Sequence, residues 1–547
     1  MRLPTIFLPK TTLSQEETRR GLRILTLECV TSTGFSSMTS SAFLIAFALL
    51  LGASNFQIGI LASIPWITDL FQIPAVWLIE KFRQRKIIVT VTWLTSQLLW
   101  IPIALLPLII AMPGAGAISI LIGLMAIRGI LNAFSNCGWS SWMRDLIPQQ
   151  ILGRYFARRL SLATAASIVL GLSAAFFLDR WNAAGYGAMG YTWVFLTGLV
   201  FLGLTSPALT AFIPEPEMQP AVPLPCFWQT ITAPLCERNY RQLMKFLMLW
   251  GFASSIALPF FEVFMLKGLS LPIFLVVTLS IITEACIAIS LRIWGPIADR
   301  LGSKVVMFWS TSLFLLMLIG WSIVALQWRH IRLIPALGAL HIIEGIALAG
   351  ILLAEEALSL KLAPREQATS FTAGASLADS IGTGTGVLVG GFAVDFFDEH
   401  MLSPGLSGMS LLPGIDPDRL QITCFCFLFM LSFLLGLATL RTLHTIQEAD
   451  TARDTARKGT RLRSATSAGT NRANKAVYRA CPALEVNRPI GFPDKYYINI
   501  NISMAQGKRY NPGFSARSSI DAMPILSDEM RDAKRGLQKK PPPPETW

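Results

Sequence analysis

The stretch Gly295-Pro296-Ile297-Ala298-Asp299-Arg300-Leu301-Gly302-Ser303-Lys304 is short and charged, and it lies between two long apolar runs, residues 271–294 and 305–326. Each run is long enough to cross a bilayer as a helix. Because so few residues separate the runs, we expect two antiparallel neighbouring helices joined by a loop. The two glycines allow a tight turn, and the aspartate is expected just ahead of the second helix, where an acid suits the positive helix end. The basic residues predict that the loop is cytoplasmic.

The composition of the whole chain agrees with a membrane protein. Of its 547 residues, 53% are hydrophobic and only 14% are charged, and the mean hydropathy is +0.53. Soluble domains carry about 25% charged residues, so an ordinary soluble protein is excluded. The eight cysteines show no zinc-ligand or redox spacing, and we expect neither a metal nor a cofactor.

Apolar runs at twelve places predict twelve membrane-spanning helices, numbered here from one to twelve. They cover residues 22–51, 56–79, 87–111, 117–142, 160–178, 191–213, 242–266, 271–294, 305–326, 333–360, 371–394 and 420–440. The predicted fold is an all-α integral membrane protein made of two pseudo-symmetric six-helix bundles, residues 21–213 and 242–441, joined by a Pro-rich cytoplasmic linker at 214–241.

Charge in the loops predicts the orientation. Basic residues concentrate in alternate loops, and the last of the opposite loops is acidic at Asp395, Asp398 and Glu399. By the positive-inside rule, the segment 1–20 and the chain after residue 441 are both cytoplasmic, in a cell membrane. The tail, residues 442–547, is polar and basic, so we expect it to be disordered, with the alternative that it lies on anionic lipid headgroups.

The two halves repeat each other. An offset of 216 residues relates Arg128 to Glu344 and also Pro148 to Pro364. The pair Glu80-Lys81 mirrors Asp299-Arg300 at an offset of 219. Two six-helix halves of one design are found in many secondary transporters.

The spacing G-x-x-x-D-R-x-G-x-K of residues 295–304 resembles the signature loop of the major facilitator superfamily of transporters. The resemblance covers roughly residues 20–441 and implies transport by alternating access, with helices one, four, seven and ten lining a central cavity and helices three, six, nine and twelve facing outward. The charges agree: each of the four cavity helices carries an ionisable residue, and the interiors of the four outer helices carry no Asp, Glu, Lys or Arg. The resemblance also implies a gating role for two cytoplasmic loops, whose residues are Glu80, Lys81, Gly295, Asp299, Arg300, Gly302 and Lys304.

Charged groups inside a bilayer are costly and are kept off the lipid, so the buried ones are candidates for function. The candidates for binding solute or a coupling ion are Asp69, Arg128, Glu262, Glu284, His341, Glu344 and Asp379. Arg128 resembles the family's membrane-embedded arginine implicated in proton coupling, and a structural ion pair with Asp69 is the alternative. His341 and Glu344 share a helix face and form either a proton-sensitive couple or an ion ligand, or else a satisfied polar packing pair.

The sequence therefore predicts secondary transport of a small solute, coupled to a proton or cation, by a monomer in the bilayer. The alternative is a non-transporting membrane sensor or scaffold that acts through the basic tail. An enzyme is not expected, since no catalytic triad or metal cluster is seen, and we expect no nucleic-acid partner. The run Gly382-Thr383-Gly384-Thr385-Gly386 lacks the strand and lysine of a phosphate site. Acidic candidates favour a cation and Arg128 favours an anion, so the charge of the solute stays open.

Overall fold

The computed structural model describes residues 9–11, 13–39, 41–109, 114–148, 151–218, 227–327, 332–364, 368–402 and 417–448. Within them, twelve helices or helix groups are long and apolar enough to cross a membrane, at the twelve predicted places. The chain is a multi-pass, helical membrane protein, as predicted. The disorder predicted for the tail concerns residues that lie, from 449 onward, outside the described part.

We number the spans 1 to 12. In the first half the helices are α1 (Gln15–Met38) and α2 (Ser41–Leu50) in span 1, α3 (Asn55–Asp69) and α4 (Gln72–Phe82) in span 2, α5 (Arg85–Leu98) and α6 (Trp100–Ile109) in span 3, α7 (Ala115–Leu146) in span 4, α8 (Leu152–Ala183) in span 5, and α9 (Gly187–Gly198), a π-helical turn (Leu199–Gly203) and α10 (Thr205–Thr210) in span 6.

In the second half α11 (Phe227–Cys236) precedes the spans, and the others are α12 (Arg238–Ser255), α13 (Leu258–Val263) and a π-helical turn (Phe264–Gly268) in span 7, α14 (Ile273–Leu301) in span 8, α15 (Ser303–Gln327) in span 9, α16 (Leu333–Leu362) in span 10, α17 (Ala368–Leu402) in span 11 and α18 (Pro417–Leu443) in span 12. The predicted linker therefore contains α11 and the first turn of α12, and Pro234 of α11 lies against Gly374 of α17.

Prolines follow breaks in three spans, 2, 3 and 7, that the apolar runs predicted as continuous. The first helix of these spans ends at Asp69, Leu98 and Ser255, and the proline that follows four or five residues later is Pro74, Pro102 and Pro259, respectively. A proline ring collides with the carbonyl four residues earlier and supplies no N–H to it. Tighter turns bridge the breaks of spans 2 and 7, with backbone hydrogen bonds from the N–H of Phe71 to Thr68 at 2.9 Å and from the N–H of Ala257 to Ser254 at 3.2 Å.

Each half has its own aromatic core. In the first half Phe35 and Phe195 pack on Trp100, with ring centroids 5.7 and 5.1 Å apart. In the second half Phe261 stacks on Trp321 at 4.6 Å. These rings are almost fully buried, so each half has an apolar centre of its own.

A buried ion pair ties spans 1, 5 and 6 together. Glu28 accepts a hydrogen bond from Arg159 Nη2 at 3.2 Å and another from Ser206 at 3.1 Å. Glu28 and Arg159 are less than a tenth exposed. Since both charges are removed from water, each needs the other to stay buried.

The signature stretch is not the loop that its glycines predicted. Helix α14 continues through Gly295 and Pro296 to Leu301, and only Gly302, at φ +98°, leaves helical geometry before α15 begins. Asp299 lies exposed in the last turn of α14 rather than ahead of α15. The prediction of a ten-residue loop was wrong because one left-handed glycine suffices to reverse the chain.

The acid at the start of α15 is Glu448, five residues beyond the end of α18. Its carboxylate accepts the backbone N–H groups of Ser303 at 3.0 Å and Lys304 at 2.7 Å, and the ammonium of Lys361 at 3.0 Å. Burial raises the pKa of Glu448, but these donors together outweigh burial and hold the pKa below its usual range. Lys304 donates to the carbonyls of His444 and Ile446, so this predicted gating residue binds its own half.

The first half has the same device. Glu215 lies five residues beyond the end of α10 and accepts the backbone N–H groups of Arg85 at 2.9 Å and Lys86 at 3.3 Å at the start of α5. The Arg85 side chain, fully buried, also pairs with Asp145 at 2.5 Å. In both halves a glutamate after the sixth span therefore fixes the start of the third span.

Candidate functional site

One group of buried polar side chains in the second half lies between spans 8 and 10. His341 Nδ1 lies 3.1 Å from Glu344 Oε2 and 2.8 Å from the hydroxyl of Thr283. The Thr283 hydroxyl also donates a hydrogen bond of 3.4 Å to Glu344 Oε2. All three side chains are more than nine-tenths buried. The predicted contact of His341 with Glu344 is thus present, and Thr283 of span 8 is its third member.

Two packing contacts hold this cluster in position. A Cβ on Gly345 would lie 2.5 Å from the carbonyl oxygen of Thr283, so glycine is what lets span 10 touch span 8. The edge of His341 meets the ring of Trp321, with centroids 5.7 Å apart. The buried Nε2 of His341 has no hydrogen-bond partner in the described part of the chain. Nδ1 of the imidazole therefore contacts the carboxylate, while Nε2 is left unsatisfied.

A second acidic group lies where spans 7, 10 and 11 meet. Asp379 Oδ1 accepts a hydrogen bond of 3.4 Å from Thr383. The same oxygen lies 2.8 Å from where a Cβ on Gly251 of span 7 would stand. Glu355 of span 10 is close enough for its charge and that of Asp379 to repel each other. Two half-buried carboxylates that repel each other favour a shared proton or a bound cation.

Arg128 of span 4 lies against span 3. Its guanidinium lies over the ring of Trp100, 5.1 Å from the centroid, and its buried Nε has no partner among the described residues. The alternative interpretation of Arg128, an ion pair with Asp69, is absent from the described structure: Asp69 accepts a hydrogen bond from Gln72 at 3.0 Å. The pairing was wrong because Asp69 ends α3 at the break of span 2, whereas Arg128 faces span 3.

The two remaining candidates lie in spans 7 and 8. Glu262 lies in α13, the short helix that follows the break of span 7. Glu284 follows Thr283 in span 8, and its side chain is exposed. Arg292, two turns later in span 8, is also exposed and was not among the predicted site residues. It lies only two residues before the predicted end of this helix, so the sequence did not mark it as a charge inside the membrane.

The halves meet closely at the end of the spans that the charge pattern predicts to be extracellular, called here the predicted outer end. Gly59 of span 2 faces Gly391 of span 11, where a Cβ on Gly59 would lie 3.3 Å from the Cα of Gly391. The rings of Phe56 and Phe392 meet edge to face at 6.4 Å. Phe176 of span 5 meets Phe274 of span 8 in the same way, also at 6.4 Å.

Two aspartates reinforce this contact by accepting backbone hydrogen bonds from the opposite half. Asp395 of span 11 binds the start of span 2, and Asp179 of span 5 binds the start of span 8. The sequence placed Asp395 in a loop, but α17 continues to Leu402, and it did not single out Asp179. The signal was present, since 216 residues separate the two, the offset of the repeat.

The opposite, predicted inner end is different. Lys81, Asp299 and Arg300 of the predicted gating set are exposed there, and Glu80 is half-buried. Lys81 lies over the ring of Trp77, its own neighbour in α4, at 4.7 Å. These contacts stay within one half of the protein.

Several solved structures that resemble this one are named as transporters. The crystal structure of the nucleoside transporter NupG is 12% identical, with a TM-score of 0.57 over 78% of this chain and 99% of that one. A bacterial homolog to the human lysosomal transporter Spinster is 15% identical, with a TM-score of 0.56 over 80% and 100%. The D-xylose-proton symporter is 13% identical, with a TM-score of 0.54 over 78% and 97%.

At this identity the likeness establishes the fold. No curated protein matched the sequence. The family comparison matched residues 29–329, more than half of the chain, to the Major Facilitator Superfamily. With its twelve spans in the expected places and the fold of known transporters, the chain belongs to the Major Facilitator Superfamily.

Proposed function

We propose that this protein carries a small solute across a cell membrane by alternating access, as a monomer with both termini in the cytoplasm. The observation that carries the proposal is the one-sided contact between the halves. Close contacts join spans 2 and 11 from Gly59 and Gly391 as far as Ile67 and Gly384. At the other end Asp299 and Arg300 are exposed. Two halves joined at one end are what a rocking transporter needs.

The contacts support an inward-facing state. In the opposite state the predicted gating residues of the two inner ends would come together, led by Glu80, Lys81, Asp299 and Arg300. Among the described residues, these side chains make no hydrogen bond or ion pair between the halves. This is expected of groups that pair only in the opposite state. A contact made in one state alone is what shifts an equilibrium between two states.

Coupling to a proton or cation is supported by the acidic groups of the second half. His341 and Glu344 share a buried hydrogen bond, and Asp379 with Glu355 forms the repelling pair described above. The first half contributes Arg128, whose Nε lacks a partner in the described part. Asp69, Glu262 and Glu284 remain candidates for solute contact because each places a carboxylate at a break or an exposed face of a span.

The test is uptake by purified protein in proteoliposomes, with and without an imposed proton gradient. The names of the structural neighbours give the first solutes to try, nucleosides and D-xylose, followed by organic cations and anions. We expect one class to accumulate faster when the gradient is imposed. Protein-free liposomes, and the same protein with the gradient collapsed by an ionophore, are the controls.

A truncation separates transport from the alternative of a tail-driven sensor. The chain should be cut after Glu448, which keeps the cap of α15 intact. A transporter retains uptake without residues 449–547. Loss of all cellular phenotype on truncation, with no flux of any solute class, would overturn the proposal.

A further inference from the structure

We propose that Asp179 and Asp395 are a pair of releasable latches that hold the predicted outer end closed. The inference rests on the proposed function, because a latch acts on the exchange between two states. The two aspartates belong to different halves and to equivalent positions of the repeat. Each reaches across to the first two residues of a span in the opposite half.

The first latch joins span 11 to span 2. Asp395 Oδ1 accepts the backbone N–H of Asn55 at 3.0 Å and its side-chain Nδ2 at 2.8 Å, and Oδ2 accepts the backbone N–H of Phe56 at 2.8 Å. The next free N–H of this helix, that of Gln57, is capped by Ser54 of the same half. The start of α3 is thus shared between a cap of its own and a cap from the other half.

The second latch joins span 5 to span 8. Asp179 Oδ1 accepts the backbone N–H of Ile273 at 3.0 Å, and Oδ2 accepts that of Phe274 at 2.9 Å. The residue before this helix is Pro272, which provides no side-chain cap. The first two N–H groups of α14 are therefore satisfied by the other half.

The chemistry suits a contact that must form and break. The first N–H groups of a helix have no partner within it, and a negative charge at that end is stabilised by the helix dipole. Both aspartates are half-buried, so water reaches the carboxylate and the N–H groups once the helices separate. The latch therefore favours closure without making opening prohibitive.

Ser54 provides the matched comparison. It caps α3 from within its own half, so its hydrogen bond persists whichever end of the protein is open. Asp395 caps the same helix from the other half, so its hydrogen bonds exist in the closed arrangement alone. Only an interaction that differs between two states changes their populations.

The experiment measures opening directly. Ser63 of span 2 is fully buried, one turn beyond Gly59 on the side facing span 11. In a full-length background with the native cysteines replaced, Ser63→Cys should react with a membrane-impermeant maleimide only when the outer end opens. The reagent is applied separately to each face of sealed vesicles of known orientation.

We expect Asp179→Asn and Asp395→Asn each to raise the labelling rate from the outer face about tenfold, equal to about 1.4 kcal/mol. The double variant should raise it more than either single variant. Ser54→Ala should lower the melting temperature and leave the labelling rate unchanged. The proposal is overturned if the folded double variant labels at the parental rate, or if Ser54→Ala speeds labelling as much as Asp395→Asn does.

The labelling assay needs no solute. A faster rate in the double variant, with no solute uptake by the parent, would support the latches and count against transport. Uptake by the parent with an unchanged rate in the double variant would do the reverse.

Discussion

Two adjacent glycines in span 11 allow a sharp test of which contacts depend on the state of the protein. A Cβ on Gly391 would lie 2.6 Å from the carbonyl oxygen of Asn55, across the interface between the halves. A Cβ on Gly390 would lie 2.4 Å from the carbonyl oxygen of Ile256, in span 7 of the same half. Both distances are well below the 3.4 Å at which ordinary van der Waals contact begins. In each case the atom that the Cβ would meet belongs to the backbone.

The two alanine variants should therefore differ in kind. Overpacking of this sort costs about 1–3 kcal/mol. In Gly391→Ala the strain disappears when the outer end opens, so the ratio of open to closed protein should rise by about 5- to 150-fold. In Gly390→Ala the collision lies inside one half and persists in both states, so the variant should lose about 1–3 kcal/mol of stability without changing the ratio.

The assay is the labelling rate of Ser63→Cys from the outer face, read together with the melting temperature of each variant. Gly391→Ala should label faster, and Gly390→Ala should melt earlier and label at the parental rate. Equal labelling rates for the two variants would refute the reasoning, because they would show that the contact of Gly391 does not separate when the protein exchanges its states.

Three further variants test the fixed contacts and the coupling groups. Glu448→Gln should destabilise the protein by about 1 kcal/mol at pH 7 because the cap of α15 is weakened. Since the pKa of Glu448 in the folded protein is below the usual value, the difference in stability between parent and variant should be complete above about pH 4.5 and should shrink as the pH falls through that pKa. The melting temperatures of both proteins, measured across this pH range, give the difference. Arg159→Met should cost about 3–5 kcal/mol by leaving Glu28 buried and unpaired, and adding Glu28→Met should recover part of the loss in thermal unfolding. Glu344→Gln should make uptake insensitive to the proton gradient while exchange of solute at equal pH continues, and gradient-driven accumulation by this variant would remove Glu344 from the coupling.

Much of the fold could be predicted because the bilayer imposes one requirement on every span. An apolar run long enough to cross it must be helical, and all twelve runs are spans. The breaks after Asp69, Leu98 and Ser255 were not predicted, although a proline follows each. A hydropathy pattern reports that a segment is buried, and it carries no information on whether the backbone inside stays continuous.

The site was harder to predict because its contacts join distant parts of the chain. The spacing of His341 and Glu344 was sufficient to predict their contact, since residues three apart share a helix face. Thr283 completes the cluster from another span, and no pattern within one helix points to it. The same holds for Glu448, which lies 145 residues from Ser303. The pairing of Arg128 with Asp69 failed because similar depth in the membrane does not fix the direction of a side chain.

The repeat separates what the two halves share from what they do not. The shared devices lie at the ends of the spans: Glu215 and Glu448 cap third spans, and Asp179 and Asp395 cap the opposite half. In the middle the equivalent position holds Arg128 in one half and Glu344 in the other.

The shared ends act differently: at the predicted outer end each half caps a span of the other half, whereas at the predicted inner end each half caps a span of its own. The middles differ in charge, with an arginine against Trp100 in one half and a histidine-linked acid in the other. Under the proposed transport the middle positions bind the solute or coupling ion and the outer caps govern closure, so changes at the middle positions should alter what is carried without altering how the outer end closes.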